Sequence, residues 1–190
     1  MKSSLFAVAA AAVVAAAAVV PVPAQGQDAH AGHGTQVAAR ADIKGKGITG
    51  TAEFAEHTQG TGTMVEITLQ VSGLTPGKHG VHLHAIGKCE PDFAAAGGHF
   101  DPGPASNTDP DANHPYHMGD VPNLEVGANG RGEMKIMTTR VTLSEGPLSV
   151  FDADGTAIII HGNEDKGITG EPKSGVSGGP RAACGVLMKK

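Results

Sequence analysis

The segment Met64–Val71 alternates apolar and polar residues with a period of two, which is the pattern of a half-buried β-strand. Gly73–Gly77 follows it and has the composition of a tight turn. No segment after residue 24 has a helical period, and 28 Gly and 12 Pro supply many turns. These features predict an all-β domain, an antiparallel sandwich or barrel. The other strand candidates are Ala39–Ile43, Thr49–Ala55, Gly80–Ala85, Leu124–Val126, Gly132–Thr138, Ala157–His161 and Ala182–Met188.

Two segments interrupt this regular spacing of strands. Gly87–Asn123 and Gly162–Arg181 are long, rich in Gly and Pro, and weakly apolar. Loops of this length inside a compact domain are usually functional. We therefore expect residues 37–190 to form one β-domain that carries two long functional loops.

The N-terminus has the features of a secretory signal peptide. Lys2 precedes an apolar run from Leu5 to Val20, and small residues lead to Ala24. A membrane anchor is the alternative, but the run is dominated by Ala and is shorter than the ~20 strongly apolar residues of a spanning helix. We predict a signal peptide at 1–24, a flexible leader at 25–36 that contains His30 and His33, and export to the periplasm or secretion.

Charge and cysteine content narrow the functional classes. The net charge of the chain is −5, and cleavage of the predicted signal peptide, which contains Lys2 and no acidic residue, makes it −6. This negative charge argues against nucleic acid or an anionic membrane as the main partner. The two cysteines, Cys89 and Cys184, are expected to form a disulfide in an oxidising compartment, with two buried free thiols as the alternative.

Histidines are concentrated around the first long loop. His82 and His84 are two residues apart on a strand candidate, so their side chains leave the same face and make half of a copper or zinc site. The neighbouring Val81 and Leu83 then point into the core. The pair gains weight from other potential ligands downstream, namely His99, His117 with Asp120, and His161.

Five motifs together resemble the copper/zinc superoxide dismutase family. They are Gly80-Val81-His82-Leu83-His84, Gly97-Gly98-His99-Phe100, His117-Met118-Gly119-Asp120, Ile160-His161 and Arg181-Ala182-Ala183-Cys184-Gly185-Val186. The resemblance spans roughly residues 38–189 and implies an eight-stranded antiparallel Greek-key barrel or sandwich.

The resemblance also implies the roles of individual residues. Copper would be held by His82, His84, His99 and His161, and zinc by His99, His117 and Asp120, with His99 bridging the two ions. Asp165 would link the two sites from outside the ligand shell. Arg181 would lie beside copper and bind the substrate, and Cys89–Cys184 would be the family disulfide.

One zinc ligand departs from the family pattern. The family has another histidine about nine residues before the position of His117, where this chain has Thr108. His114 is the candidate replacement, because long loops tolerate such changes of course. The alternative for His114 is an exposed loop histidine without a metal, and the alternative zinc ligand is a carboxylate oxygen of Asp109. His57 and His79 lack partners by spacing, and we expect both on the surface.

The implied reaction is the dismutation of superoxide to dioxygen and hydrogen peroxide, with His99 and Arg181 as catalytic residues. Lys166 and Lys173 are candidates for steering the anionic substrate, although ordinary surface charge also explains them. A copper-binding or copper-delivery protein, or a copper-only dismutase, is the alternative, because the zinc loop is altered. The sequence has no interface signature and leaves the oligomeric state open, a homodimer included.

Overall fold

The alternating segments form β-strands whose inward side chains build a single core. The computed structural model describes residues 37–103 and 108–190, so the predicted signal peptide and leader lie outside the described residues. A single short 3₁₀ helix, Phe93–Ala96, occurs in the described part. The strands are β1 Ala38–Gly45, β2 Ile48–Gln59, β3 Gly62–Ser72, β4 Gly77–His84, β5 Asp120–Val126, β6 Arg131–Thr138, β7 Ala157–His161, β8 Arg181–Val186 and β9 Met188–Lys189.

Eight of these strands close into an antiparallel barrel, as predicted. Their order around the barrel is β1-β2-β3-β6-β5-β4-β7-β8, and β8 returns to β1 through the pairs Lys44–Cys184 and Gly45–Ala183. The order is not sequential because β6 lies next to β3 and β7 lies next to β4. Among the strands of residues 37–103 and 108–190, closure leaves no long exposed sheet edge.

The barrel interior follows the period-two pattern of the strands. Along β3, Val65, Ile67, Leu69 and Val71 are buried, while the residues between them are at least partly accessible. The two-residue β9 was not predicted as a separate strand. Leu187 is buried and its amide donates to the Thr156 carbonyl, and this residue separates β8 from Met188 and Lys189, which pair with Arg40 and Ala39 of β1.

The two long loops leave the barrel at neighbouring strands. The first follows β4 and the second follows β7, and these strands pair through Val81–Ile160 and His82–Ile159. The predicted disulfide is confirmed: Cys89 in the first loop is bonded to Cys184 in β8, which ties this loop to the barrel wall. Among the described residues, no helix has the length and apolar character needed to cross a membrane.

Glu56 on β2 binds the loop between β6 and β7 through a buried carboxylate. One of its oxygens accepts hydrogen bonds from the amides of Leu143 (2.5 Å) and Ser144 (3.0 Å) in the loop between β6 and β7. Burial disfavours the charged carboxylate, but these donors outweigh burial and lower the pKa of Glu56 below its ordinary value of 4.5.

We expect Glu56→Gln to lower the free energy of unfolding by about 1–3 kcal/mol, because the amide group replaces an anionic acceptor at two buried N–H donors. A lowered pKa stabilises the fold above the unfolded value, and this contribution is lost as the pH falls through the folded value. Urea unfolding should therefore show a steeper loss of stability below pH 4.5 in the wild type than in Glu56→Gln. Glu133→Gln, an exposed glutamate on β6, is the control, and equal acid sensitivity of all three proteins would contradict the prediction.

Candidate metal centre

The barrel brings the predicted histidines together at the ends of β4 and β7. On β4, Val81 and Leu83 belong to the hydrophobic core, while His82 and His84 belong to a cluster of histidines. His161 ends β7, and the register between β7 and β8 shifts immediately before it. The strand alternation therefore separates core residues from potential ligands, as the sequence predicted.

The first potential metal site consists of four histidines. His82, His84, His99 and His161 each offer a ring nitrogen, and these nitrogens all lie within 4.8 Å of one another. All four side chains are buried, with His161 the most exposed at 2%. The rings of His82 and His99 stack with their centroids 4.1 Å apart.

The second potential metal site shares His82 and His99 with the first. His82, His99, His114 and Asp120 offer ligand atoms that also lie within 4.8 Å of one another. His117 adjoins this group through Asp120, because its Nδ1 lies 3.0 Å from Asp120 Oδ2. His114 is thus a buried member of the cluster and not an exposed loop residue.

Hydrogen bonds fix the orientation of three rings in the first group. His82 donates from Nε2 to Asp165 Oδ2 (3.0 Å), His84 from Nδ1 to the Gly97 carbonyl (3.0 Å), and His161 from Nδ1 to the Gly179 carbonyl (3.0 Å). The other nitrogen of each ring carries a lone pair directed into the cluster. Those nitrogens have no hydrogen-bond partner among the described residues.

His99 and His114 have the same kind of arrangement around Asp120. Nδ1 of His99 lies 2.7 Å from Asp120 Oδ1, and its Nε2 has no partner among the described residues. Nε2 of His114 donates to Asp165 Oδ1 (2.7 Å), and its Nδ1 lies 3.3 Å from Asp120 Oδ2 without making a hydrogen bond. Buried nitrogens without partners are costly, and a bound cation removes that cost. The donor set therefore fits copper and zinc ions.

Burial keeps most of these rings neutral. It is the largest cause that lowers the pKa of His82 to about 3 and of His161 to about 4, and it lowers the pKa of His84 well below the ordinary value. Burial also opposes ionisation of Asp120, but the adjacent imidazole rings of His114, His117 and His99 outweigh it and hold the pKa of Asp120 well below its usual range. Neutral imidazoles and an ionised carboxylate are the forms that bind metal ions.

Asp165 connects the two groups, and Asn123 holds Asp165. The Asp165 oxygens accept from His82 and His114, as described above, and the Asn123 side chain bonds both the carbonyl (2.8 Å) and the amide (2.9 Å) of Asp165. Sequence reasoning missed Asn123, because an isolated Asn carries no signal until the fold brings it against the second loop.

The expectation that His79 lies on the surface was wrong. Its side chain is 3% exposed, Nδ1 lies 2.8 Å from the His161 carbonyl, and Nε2 lies 2.9 Å from the Thr75 carbonyl. It therefore supports the end of β7 that carries His161. His57 is half-buried on β2 and lies outside both groups.

Thr108 and Asp109 both accept hydrogen bonds from backbone amides of the first long loop. The Thr108 carbonyl accepts the His99 amide (2.9 Å), and a Cβ on Gly98 would lie 1.8 Å from that carbonyl oxygen, so only Gly allows the approach. Asp109 Oδ1 accepts the amides of Asp111 (3.1 Å) and Ala112 (3.0 Å). Neither Thr108 nor Asp109 belongs to the second group of ligand atoms.

A solvent-accessible cavity of about 230 Å³ opens beside the first group. His161, Arg181 and Lys173 line part of its wall, whereas Lys166 does not. The Arg181 guanidinium donates to the carbonyls of Phe93 and Gly97, and the Gly97 carbonyl also accepts from His84. The arginine is thus fixed next to the ligand shell by the loop that contains Cys89.

Comparisons with known proteins agree with this geometry. A family model described as copper/zinc superoxide dismutase (SODC) matches residues 48–187. The chain is 40% identical over 167 residues to a Cu-Zn superoxide dismutase of Deinococcus radiodurans, covering 80% of this chain and 85% of that one. It is 37% identical over 140 residues to the superoxide dismutase-like protein YojM of Bacillus subtilis, covering 71% and 68%. A crystal structure of a SOD-like protein from Bacillus subtilis gives a TM-score of 0.64 at 32% identity and covers 78% of this chain and 97% of that one.

The carboxylates around His114 predict a pH-dependent stability of the metal-free protein. Burial disfavours the protonated ring, but Asp120 and Asp165 outweigh burial and raise the pKa of His114 to about 9. A raised pKa adds stability that is complete below the unfolded value of 6.5 and is lost as the pH rises through the folded value.

Metal-free wild type should therefore lose more unfolding free energy between pH 6.5 and about 9 than His114→Gln does. Urea unfolding in the presence of a chelator measures this difference, with His57→Gln as the control histidine outside both groups. The same pH slope in the wild type and His114→Gln would disprove the assignment of this titration.

Proposed function

This chain belongs to the copper/zinc superoxide dismutase family, and we propose that it converts two superoxide anions and two protons into dioxygen and hydrogen peroxide. The observation that carries the proposal is the pair of buried ligand groups that share His82 and His99 beside a cavity lined by Arg181. A protein that only binds copper has no need of a second group or of a fixed cation at the cavity wall.

The two groups of ligand atoms, and the ring nitrogens in them that lack hydrogen-bond partners among the described residues, indicate which residues would hold each ion. Copper would be held by His82, His84, His99 and His161. Zinc would be held by His99, His114 and Asp120 of the second group together with the adjoining His117. Copper supplies a one-electron redox couple, and zinc supplies a fixed positive charge that does not change oxidation state. The rings of the first group are oriented by backbone carbonyls and by Asp165, so the site is preorganised before an ion binds.

His114 replaces the zinc histidine that the family has near Thr108. The support is its burial, its Nδ1 directed at Asp120 Oδ2, and its Nε2 held by Asp165. Asp109 is the weaker candidate, because Oδ1 of its carboxylate is used by two backbone amides of its own turn. A shift of one ligand along the loop keeps three histidines and one carboxylate around zinc.

His99 is the residue suited to handle a proton. Its Nδ1 faces Asp120 and its Nε2 faces the first group, so one ring can serve both groups or hold a proton at Nε2. Each hydrogen peroxide that leaves needs two protons. His99 holds one of them at Nε2 and delivers it to the reduced oxygen species in the cavity.

Arg181 binds the anionic substrate at the cavity wall. Its hydrogen bonds to the Phe93 and Gly97 carbonyls hold the guanidinium in one place, and the disulfide from Cys89 anchors the loop that supplies those carbonyls. A fixed cation raises the local concentration of superoxide around a protein whose net charge is −5.

The protein acts outside the cytoplasm. The support is the signal-peptide pattern of residues 1–24, together with the disulfide, which persists in oxidising compartments. The substrate would then be superoxide produced in or reaching the periplasm or the extracellular space.

Copper- and zinc-loaded protein should dismutate superoxide, and Arg181→Ala should lower the rate constant roughly tenfold, because the fixed cation at the cavity is lost. Pulse radiolysis or a competition assay measures the rate. Arg131→Ala removes the same charge on β6 and should leave the rate nearly unchanged. Protein that holds both metals without activity would refute the dismutase proposal and favour copper storage or delivery.

His114→Gln should reduce bound zinc from one equivalent toward none while copper remains bound, because the zinc group loses a ligand and the first group keeps all four of its histidines. Elemental analysis after dialysis measures both metals in the wild type, His114→Gln and Asp109→Asn. Loss of zinc in Asp109→Asn alone would identify Asp109 as the ligand. Wild type that binds copper only and remains active would identify a copper-only dismutase.

A further inference from the structure

Asp111 in the first loop is buried against the second loop. Its side chain is 3% exposed, and its carboxylate accepts hydrogen bonds from the Gly175 amide (2.8 Å), the Ser177 amide (3.0 Å) and the Ser177 hydroxyl (2.9 Å). Its backbone carbonyl accepts the Gly170 amide (2.9 Å). One residue therefore ties down both ends of the segment 170–177.

Lys173 lies inside the segment that Asp111 holds. Its φ angle is 64°, in the left-handed region that residues other than Gly rarely adopt. Such a conformation persists only where the surrounding structure enforces it. The bonds from Gly170 and Gly175 to Asp111 enclose Lys173 on both sides and supply that enforcement.

The enforced conformation places Lys173 at the cavity beside the first histidine group. Asp111, Lys173, His161 and Arg181 all contribute to the wall of this cavity. Lys173 and Arg181 are therefore two cationic side chains that line the same cavity of a negatively charged protein. Such a pair raises the local concentration of small anions.

We propose that Asp111 is a positioning residue for anion capture: it acts through Lys173 by holding the segment 170–177 so that this lysine faces the cavity together with Arg181. The inference rests on the proposed function and deepens it, because it names the residue that shapes the substrate entrance. No sequence pattern singles out Asp111, since it is one acid among several in a polar loop.

The proposal predicts an effect whose sign is opposite to that of the charge alone. Removal of a carboxylate from the cavity wall should strengthen anion binding if Asp111 acted only through its own charge. The carboxylate holds the 175–177 end of the segment, while Gly170 bonds the Asp111 backbone carbonyl, which a side-chain substitution keeps. Release of the 175–177 end should weaken anion binding, because Lys173 then leaves the cavity. The sign of the change therefore separates a positioning role from a direct electrostatic role.

The experiment uses the full chain loaded with copper and zinc and measures azide affinity by optical titration of the copper absorption. The variants are Asp111→Ala, Asp111→Asn, Lys173→Met and the double variant Asp111→Ala/Lys173→Met. Asp152→Ala is the control, because it removes the same charge and a similar loop hydrogen bond, to the Asp154 amide, outside the cavity wall. Hydrogen exchange of the amides of Gly175 and Ser177 reports on the loop in the same proteins.

We expect Lys173→Met to weaken azide binding about two- to threefold at low salt, the effect of one cation at several ångströms in water. Asp111→Ala should also weaken azide binding, but by less than Lys173→Met, because the loss of the carboxylate charge offsets part of the loss of the lysine. In the Lys173→Met background, Asp111→Ala should instead strengthen azide binding, because only the carboxylate charge is then removed. The double variant should therefore bind azide more tightly than Lys173→Met. High salt should abolish the differences. Asp111→Asn loses the same charge but keeps one acceptor oxygen, so it should bind azide more tightly than Asp111→Ala. Asp111→Ala should also expose the Gly175 and Ser177 amides to exchange.

Tighter azide binding by Asp111→Ala, or additive effects in the double variant, would overturn the proposal. Azide titration requires no turnover, so its result is independent of dismutase activity. If the wild type lacked activity while the variants followed the expected pattern, the proposed function would fail and the role of Asp111 would stand. If the wild type were active and the pattern were absent, only the role of Asp111 would fail.

Discussion

The carboxylate of Asp165 is the interaction on which the site depends. One of its oxygens accepts from His82 on β4 and the other from His114 in the first long loop, while Asp165 itself belongs to the second long loop. Asn123 on β5 fixes its backbone by two hydrogen bonds. One side chain thus joins the barrel and both loops, and it sets the tautomer of a histidine in each ligand group.

The same arrangement makes the metal-free site costly and the metal-loaded site stable. Burial holds His82 and His161 in the neutral form, and several ring nitrogens of the cluster have no hydrogen-bond partner among the described residues. These groups gain their partners only from a bound cation, so metal affinity contributes directly to the stability of the loops. The disulfide, and the hydrogen bonds that Asp111 accepts from the second loop, hold the two loops near their final positions. They thereby reduce the loss of conformational entropy that metal binding requires.

Much of the fold could be predicted because the strands carry local signals. The alternation in Met64–Val71 became the centre of β3, and Ala157–His161 was predicted with the bounds of β7. The first four histidines of the cluster were found because His82 and His84 share a strand face and because the motifs around His99 and His161 resemble a known family. The structure brings these side chains together, and it also brings in His114, for which the sequence left several interpretations open.

His79, Asn123 and Asp111 show the limit of such predictions. Each has a contact with a backbone group that is distant in the sequence: His79 with His161, Asn123 with Asp165, and Asp111 with Gly175 and Ser177. The sequence by itself determined the strand pattern, the two long loops and the residue types that can hold copper and zinc, because these depend on local periodicity and side-chain chemistry. Only the tertiary structure decided which loop residues reach the site and which polar groups hold them there, because a hydrogen bond between two loops depends on how the closed barrel brings their backbones together.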